Sequence, residues 1–312
     1  MTRGHKSRER LYQGHVPTVG VLTVTWNRRR DVLECIGSVL RSVYPRLSVY
    51  VVDNASTDHS FEAIAERYPE VYAIRSEENL GFAGGNNLGL AKMLEDGMEA
   101  AFLVNDDVIV AEDTLGALVA GGFDNPTVGV LAPKVLVNSG AGLIWSAGGS
   151  VVPRSGVTVQ RHYGEPDQGQ ADEASEVDYA VGCAMLVKAD VIRGVGFMDP
   201  RYFMYYEEVD WCRRIRRAGH RVLYVPQSRV WHKVTLDGNG HDDAAYYFAR
   251  NRLLYLKSGG AHPARVAWIA VSDILRSAAG HAFRGRTKEG RLMVKAVADY
   301  YSDTFGKLGD GS

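Results

Sequence analysis

Two groups of carboxylates in this sequence have the residue types and positions that chemistry requires. One is the triplet Asn105, Asp106 and Asp107, which directly follows the apolar run 101–104. Carboxylates in a loop at the end of a strand can hold a hard divalent cation through oxygen ligands and leave positions open for substrate phosphates. Asn and Asp are also common turn residues, so the triplet alone is equally compatible with an ordinary turn.

The second group is Glu207, Glu208 and Asp210, at the start of a predicted helix. Negative charge at a helix N-terminus is favourable by about 0.3–1 kcal/mol at an exposed site, which is the structural interpretation of this cluster. The functional interpretation is a general base that removes a proton close to a cationic centre. Of the three residues, Asp210 is the one for which a structural role is most strongly favoured.

A histidine and a glycine-rich turn extend this set. His232 follows a short apolar run, and beside an acidic metal site it could supply a nitrogen ligand, although a single histidine is more often structural. The segment 81–87, with Gly84 at its centre, opens a predicted helix. Glycines there permit close backbone approach, and free amide N–H groups at the positive end of a helix suit a phosphate or a ribose.

The elements that must position these residues follow from the hydrophobic pattern. The first half of the chain repeats a short β-branched run, a polar loop and a helical pattern, which implies a mostly parallel sheet with helical crossovers. The predicted strands are Val19–Thr25, Leu47–Val52, Val71–Arg75 and Ala100–Val104. Because ligands of such sheets bind beyond the carboxyl ends of the strands, we expect one crevice there. The polar residues that it should collect are Trp26, Asn27, Asp53, Asn54, Asn79, Asn105, Asp106 and Asp107.

The loop after the first strand argues against one class of enzyme. It reads Thr-Trp-Asn-Arg at 25–28, whereas a dinucleotide-binding fold has the pattern G-x-G-x-x-G at this place. A nicotinamide-dependent oxidoreductase is therefore disfavoured. We expect Asn27 to cap the helix that follows. In the second half, the pattern predicts a helix over Glu208–Ala218 and a strand over Arg221–Val225 that ends at Pro226.

Composition excludes further classes. The chain has 312 residues, a hydrophobic share of 46% and a formal net charge of −1, which is typical of a folded protein and not of a nucleic-acid binder. Three cysteines lack any C-x-x-C pairing, so neither a disulfide framework nor a zinc site is indicated. No apolar window is long enough for a membrane span, and the N-terminus is a poor signal peptide. We expect a cytoplasmic protein that is peripheral at the inner face of the cell membrane at most.

Taken together and in order, several segments closely resemble the family 2 glycosyltransferases, which are inverting enzymes of the GT-A fold that use nucleotide-sugar donors. The resemblance extends from about Val19 to Leu256. Residues 105–107 occupy the place of the family's D-x-D motif and residues 206–210 that of F-E-D-V-D. The other matching segments are 24–27 (V-T-Y-N in the family), 52–58, 79–87 and 249–252 (the R-A-R-N-R region).

The resemblance implies roles for individual residues. The donor-binding residues are Thr25, Trp26, Asn27, Asp53, Asn79, Gly84, Asn105 and Asp106. A divalent metal, Mg²⁺ or Mn²⁺, would be held by Asp107, and by His232 as in the related galactofuranosyltransferases. The family's catalytic base falls on Glu208, where many members have Asp. Because the side chain of Glu is one methylene longer, its carboxylate is displaced, which leaves open whether Glu208 or Glu207 takes the proton. The acceptor should enter beside Gly182, Cys183 and Tyr206, where aromatic rings can stack on a sugar face.

The resemblance also implies a reaction: a sugar moves from a nucleotide-sugar donor to an acceptor hydroxyl in the biosynthesis of a cell-surface polysaccharide or glycan. The closest likeness is to rhamnosyltransferases, which implies dTDP-rhamnose; UDP-galactofuranose is the alternative donor. A catalytically inactive nucleotide-sugar or glycan-binding module on the same scaffold is the alternative of another class. A nucleotidyltransferase ranks lower, because its glycine-rich phosphate loop is missing after the first strand.

The chain divides into three parts on this interpretation. They are a polar lead at 1–16, a catalytic domain at 17–260 with a nucleotide-sugar-binding half (17–132) and an acceptor half (133–260), and a helical tail at 261–312. The tail combines apolar residues with arginines, as amphipathic helices on anionic membranes do, which fits a lipid-linked glycan acceptor. Packing of the tail on the catalytic domain and a homodimer contact are equally compatible with this pattern.

Overall fold

The structure is a computed structural model and describes residues 15–236 and 243–309; the remainder of the polar lead and the last residues of the tail lie outside the described residues. Its strands are β1 Val19–Thr25, β2 Leu47–Asp53, β3 Tyr72–Arg75, β4 Ala100–Val104, β5 Val108–Val110, β6 Val128–Val137, β7 Ile144–Ser146, β8 Gly149–Val151, β9 Thr158–Gln160, β10 Ser175–Glu176, β11 Ala184–Lys188 and β12 Arg221–His232. Its α-helices are α1 Arg29–Leu40, α2 Ser60–Arg67, α3 Gly81–Glu95, α4 Thr114–Gly122, α5 Ala189–Val195, α6 Glu207–Arg217, α7 Ala244–Ser258, α8 Pro263–Ile269, α9 Arg276–Phe283 and α10 Thr287–Tyr301.

In the described part of the chain, ten strands form one mixed sheet. Its main path runs β10-β12-β6-β11-β4-β1-β2-β3, with β5 beside β12 and β7 beside β6. The pairs β1/β2, β2/β3, β1/β4 and β6/β12 are parallel, whereas β11 is antiparallel to both of its neighbours. The predicted mostly parallel α/β sheet is confirmed. The antiparallel β11 joins the two halves of the sheet into one surface.

Glycines in α3 let this helix lie close to the sheet. A Cβ at Gly85 would be 2.6 Å from the Val24 Cγ1 atom, and a Cβ at Gly89 would overlap the side chain of Leu22 on the same strand. Any larger residue would push α3 away from β1 and open the buried core between them. The glycines at these two positions therefore serve helix–sheet packing.

Two local predictions are wrong. β12 does not end at Pro226 but continues to His232, with a register irregularity against β6 between Val225 and Arg229. Because proline cannot donate to a regular ladder, its position within that irregularity allows the strand to continue. Asn27 does not cap α1 either. Its backbone is left-handed (φ 55°) and its side-chain oxygen accepts the Thr57 N–H at 2.7 Å, which ties the two loops beyond β1 and β2 together.

The C-terminal helices form a second apolar cluster against α7. α8, a π-helical segment at Ala270–Leu275 and α9 follow one another without a break, and α10 packs back on α7. The cluster buries side chains of α8, α10 and α7 together with Phe203, such as Val266, Leu253 and Leu292. No helix within residues 15–236 and 243–309 is long and apolar enough to cross a membrane.

Candidate active site

The acidic triplet lies at the carboxyl end of β4, and both of its Asp side chains are buried. The Thr25 hydroxyl at the end of β1 donates to Asp106 Oδ2 at 2.8 Å. Arg28, in the loop after β1, donates from Nη1 to Asp107 Oδ2 at 2.6 Å, and the same nitrogen is 3.9 Å from Asp106 Oδ1. Adjacent parallel strands thus bring two carboxylates, a hydroxyl and a guanidinium to one point.

The extension of β12 brings His232 to this point. Its last residues pair antiparallel with β5, the short strand directly after the triplet, so that His232 is opposite Val108. The His232 Nε2 atom lies 3.0 Å from Asp107 Oδ1, and the Lys233 N–H donates to the Asp107 carbonyl at 2.9 Å. The edge of Trp145 packs on the imidazole with a centroid distance of 4.7 Å. A strand that ended at Pro226 would have left this histidine elsewhere.

The two aspartates differ in charge state. Burial, and then the negative charge of Asp107, raises the pKa of Asp106 to about 7. Burial acts in the same direction on Asp107, but the neighbouring His232 imidazole and Arg28 guanidinium outweigh it and lower the pKa of Asp107 to about 2. At neutral pH Asp107 is therefore ionised, whereas Asp106 keeps its proton to a much higher pH than an ordinary aspartate.

Glu207 and Glu208 are the first two residues of α6. Glu207 is only 4% exposed and Glu208 is half-buried. Burial, and then the charge of Glu208, raises the pKa of Glu207 well above its ordinary value. Burial also raises the pKa of Glu208, opposed by nearby backbone N–H groups, including that of Gly182. Neither carboxylate has an ion-pair partner within the part of the chain described, unlike Asp107.

Cys183 connects the two carboxylate groups. Its carbonyl accepts the Asn105 N–H at 3.0 Å, and the charges of Asp107 and Glu208, after burial, contribute to a thiol pKa well above the usual range. The protonated, buried thiol is a poor nucleophile. The acidic triplet and Glu208 therefore both lie in the neighbourhood of Cys183.

Gly182 leaves room for the Glu208 side chain. A Cβ at this position would be 3.2 Å from the Phe82 Cζ atom and 3.6 Å from the Glu208 Cγ atom. Phe82, a half-buried ring of the glycine-rich segment, therefore lies beside the backbone that faces the carboxylate. The sequence pattern did not single out Phe82. Its position within the matched segment 79–87 was the available signal.

The loop before the carboxylates carries backbone strain. Phe203, Tyr205 and Tyr206 have φ values of 65°, 65° and 74°, in the left-handed region that side-chain-bearing residues rarely adopt. The Asn251 side-chain amide on α7 holds this backbone in place. Its Nδ2 atom donates to the carbonyls of Tyr202, Met204 and Tyr205 at 2.8–2.9 Å.

Unpaired buried polar atoms concentrate at this site. Nine such side-chain atoms occur in residues 15–236 and 243–309, and six of them belong to residues of the predicted site. Leaving a buried polar group unpaired costs about 1–3 kcal/mol, so a concentration of them indicates a surface that a polar ligand completes. They are Asp53 Oδ1, Asn105 Oδ1, Asp107 Oδ1, Glu207 Oε2, Glu208 Oε2 and His232 Nδ1.

The remaining predicted donor residues surround this edge. Trp26 is 48% exposed and available to stack on a ring. Asp53 is buried and its Oδ2 accepts the Ser56 N–H at 3.2 Å. Asn79 accepts the Gly81 N–H at 2.9 Å, which is a structural contact at the start of α3, and Gly84 lies half-buried one turn further along.

Arg28 is the most important residue that sequence reasoning missed. It stands directly after the Thr-Trp-Asn segment, in a run of three arginines. Three consecutive arginines offer no pattern that separates the one that pairs with Asp107 from its neighbours. The position of Arg28 one residue beyond a matched motif was the only signal.

The protein's own side chains do not enclose a metal ion. Over the ranges that the structure describes, no group of three or more His, Cys, Asp or Glu is arranged to hold one. Asp107 and His232 form a two-residue donor set. Mg²⁺ is commonly bound by one or two protein ligands together with substrate phosphates, so a pair is sufficient when the substrate carries a diphosphate.

Comparison with known proteins identifies this arrangement. The family model described as "Glycosyltransferase like family 2" matches residues 17–251. The chain is a family 2 glycosyltransferase. The matched range contains the triplet, both glutamates, His232 and Asn251, and the predicted family is confirmed.

Named relatives of this glycosyltransferase include two rhamnosyltransferases. The chain is 26% identical over 265 residues to N-acetylglucosaminyl-diphospho-decaprenol L-rhamnosyltransferase of Mycobacterium tuberculosis, covering 78% of this chain and 84% of the relative. It is 25% identical over 186 residues to the dTDP-rhamnosyl transferase RfbF of Shigella flexneri, covering 60% of each. Sugar transfer from a nucleotide-sugar donor is therefore the reaction of this family member, as predicted.

A solved structure confirms the fold. A mannosyltransferase of Pyrobaculum calidifontis, in complex with GDP-Man and Mn²⁺, superimposes with a TM-score of 0.59 over 96% of this chain and 94% of its own. The sequence identity is 16%, so this similarity concerns the fold.

Proposed function

We propose that this glycosyltransferase moves rhamnose from dTDP-rhamnose to a hydroxyl group of a lipid-linked glycan, by a single displacement that inverts the anomeric centre. The observation that carries the chemistry is the Glu208 carboxylate, which has an unpaired buried oxygen and lies, like Asp107, close to Cys183. A base and an anion-stabilising group on two sides of one position are what an in-line transfer requires.

Asp107 and His232 would hold the divalent metal. The fit rests on the 3.0 Å approach of His232 Nε2 to Asp107 Oδ1, which puts two donor atoms at one point, and on an oxygen–nitrogen donor set that suits Mg²⁺ or Mn²⁺ with phosphate oxygens. A bound ion supplies a Lewis acid that stabilises negative charge on the departing diphosphate. Arg28 adds a fixed positive charge at the same carboxylate.

Glu208 acts on the acceptor. A hydroxyl is a poor nucleophile, so a carboxylate must take its proton as the bond to the sugar carbon forms. Glu208 fits this role better than Glu207, because Glu208 is half-buried beside Gly182 whereas Glu207 is almost fully enclosed. The raised pKa of Glu208 increases its proton affinity at the cost of a smaller ionised fraction at low pH.

The donor and the acceptor would occupy different halves of the domain. The residues Thr25, Trp26, Asn27, Asp53, Asn79, Gly84, Asn105 and Asp106 form the donor side in 17–132. Gly182, Cys183 and Tyr206 form the acceptor side in 133–260. The Tyr206 hydroxyl already donates to the Gly156 carbonyl at 2.8 Å, so its ring is fixed in orientation.

The names of two relatives support rhamnose and dTDP, and one of them acts on a decaprenol-linked sugar. UDP-galactofuranose is the second candidate donor, supported by the 3.0 Å separation of His232 and Asp107. A calorimetric titration with dTDP and with UDP, each with and without Mn²⁺, separates the two. Binding of dTDP that requires the metal and disappears in Asp107→Ala supports the proposal, and metal-dependent binding of UDP alone favours the second donor.

Turnover separates an enzyme from a binding module. Purified protein with dTDP-rhamnose, Mn²⁺ and a polyprenyl-diphosphate-linked N-acetylglucosamine should release dTDP and form a larger lipid-linked product. Nucleotide binding without product from any acceptor tested, in a wild-type protein that is folded, would favour the non-catalytic module.

A further inference from the structure

The C-terminal helices present an apolar outer face. Trp268, Val271 and Phe283 are 71%, 62% and 95% exposed, and with Ala279 they lie along one side of the continuous helix 263–283. The opposite side of this helix is buried against α7 and α10. Large aromatic side chains that point outwards along one stripe mark an interaction surface. We call the stripe formed by Trp268, Val271, Ala279 and Phe283 the outer face.

Cationic side chains are frequent in the C-terminal helices that carry the outer face. Between positions 273 and 299 the chain has six Lys or Arg residues and three carboxylates, Asp273, Glu289 and Asp299, although the whole chain has a net charge of −1. This segment is therefore one of two basic segments of the chain; the other is 1–30, with seven Lys or Arg residues and one carboxylate, and the remainder of the chain is acidic. The six residues are Arg276, Arg284, Arg286, Lys288, Arg291 and Lys295.

This combination matches an anionic lipid surface. Trp and Phe partition into the headgroup region of a bilayer, and each Lys or Arg near an anionic leaflet adds an attractive contribution. A second copy of the chain is a poorer partner, because the same positive segments would face each other across a twofold contact. Since no described helix can cross a membrane, attachment would be to the surface of the bilayer.

The C-terminal helices that carry the outer face pack against the loop before Glu207, on the acceptor side of the site. Arg250 on α7 donates to the carbonyl of Tyr202 at 3.1 Å and to the carbonyl of Gly306 at 2.8 Å. It therefore joins the loop before Glu207 to the segment that follows α10. Phe203 of that loop is buried in the same apolar cluster as Leu292 of α10.

We propose that the outer face docks this glycosyltransferase on an anionic phospholipid bilayer, so that a lipid-linked acceptor meets the Glu208 side of the cleft without leaving the membrane. The access to a lipid-linked acceptor rests on the proposed function, whereas the binding to the bilayer does not.

Co-sedimentation of the full-length protein with vesicles tests the docking. The probes are vesicles of phosphatidylcholine alone and vesicles of phosphatidylcholine and phosphatidylglycerol in a roughly two-to-one ratio, each at low and high salt. We expect binding to the anionic vesicles that weakens as salt increases. No sedimentation with the anionic vesicles at low salt would overturn the proposal, and so would equal binding to both compositions.

Two sets of variants locate the contact. Trp268→Ser with Phe283→Ser should weaken binding to anionic vesicles by about tenfold or more, because both side chains contribute apolar area to the interface. Arg284→Gln with Arg286→Gln should weaken it by about tenfold as well. The matched control is Tyr163→Ser with Phe197→Ser, which removes aromatics that are 46% and 38% exposed but lie outside the C-terminal helices. Wild-type binding by the outer-face variants, or equal losses in the control, would contradict the assignment.

Three further measurements keep the outcomes distinct. All variants should retain wild-type melting temperature and dTDP affinity, since none of the substituted residues lies at the cleft. Size-exclusion chromatography tests whether a second copy of the chain covers the outer face instead. A wild-type dimer that dissociates in Trp268→Ser with Phe283→Ser would show that the face joins two copies and would overturn the bilayer proposal. Vesicle binding that depends on the outer face in a protein that binds no nucleotide would instead support the docking and refute the proposed function.

Discussion

The site has two pairs of adjacent carboxylates, Asp106 with Asp107 and Glu207 with Glu208, and Asp107 differs from the other three in the direction of its pKa shift. Asp107, in the first pair, has a guanidinium at 2.6 Å and an imidazole at 3.0 Å, and its pKa is lowered. Glu207 and Glu208, in the second pair, have no cation beside them in the described structure, and burial raises the pKa of both. The difference teaches that the surroundings, and not the residue type, set the charge state: a guanidinium and an imidazole lie against Asp107, whereas burial dominates at Asp106, Glu207 and Glu208.

Removal of the proton acceptor should have the largest effect. We expect Glu208→Gln to reduce kcat by about 10²- to 10⁴-fold, since a general base contributes a factor of this size. Its dTDP affinity and melting temperature should stay close to wild type. Steady-state kinetics with calorimetry checks both. The assignment fails if Glu208→Gln keeps wild-type turnover while Glu207→Gln loses it.

Removal of the Asn251 side-chain amide, which fixes the strained loop before Glu207, should have the next largest effect on kcat. Asn251→Ala removes the three hydrogen bonds to the carbonyls of Tyr202, Met204 and Tyr205. We expect kcat to fall by about ten- to a hundredfold, because the loop directly positions Glu208, while the affinity for dTDP is unchanged. An equal loss of dTDP affinity would mean that Asn251 supports the whole cleft and does not act selectively on the base.

The pH dependence should reveal the raised pKa of Glu208. The reaction requires its ionised form, so kcat/KM should fall about tenfold for each unit of pH below that pKa, with the midpoint above the ordinary 4.5 of a glutamate. The measurement is the pH profile of kcat/KM at a saturating metal concentration. A profile that stays flat down to about pH 4.5 would exclude a catalytic base with a raised pKa.

Glu207→Gln should have the smallest effect on rate and a measurable effect on stability. A carboxyl whose folded pKa is raised stabilises the protein fully below its unfolded pKa and progressively less as pH rises through the folded pKa. The wild type therefore carries a penalty at alkaline pH that the glutamine variant lacks. We expect the melting temperature of the variant, relative to wild type, to be higher by a few degrees at pH 8 than at pH 5. Thermal denaturation at both pH values checks this, and no change in the difference would contradict a buried, protonated Glu207.

The two halves of the sheet were not equally predictable from sequence. In the first half, β1, β2 and β3 are each followed by a helix, and the period of the apolar residues gave β1 and β4 with their observed bounds. In the second half, β6 and β12 are far apart in sequence, and their pairing depends on contacts that no local window contains. The prediction that Pro226 ends β12 failed for this reason: local propensity favours a stop, but pairing with β6 and β5 continues the strand.

The candidate site shows the same division. The residue types and their order identified the family, which the family model confirms, whereas the roles of the triplet, both glutamates and His232 stay predictions. No local pattern could show that Arg28 reaches Asp107 or that Asn251 holds the backbone of residues 202–205. These contacts join residues that are 79 and 46 positions apart along the chain.

The sequence by itself determined that this chain folds as a mostly parallel α/β sheet, belongs to the family 2 glycosyltransferases and carries two carboxylate groups suited to chemistry. Order, spacing and side-chain type are sufficient for that, because they are local properties. Only the tertiary structure decided which carboxylate is ionised and which carries a raised pKa. Charge state depends on burial and on the distance to Arg28 and His232, and both are set by strands that meet only in the folded sheet.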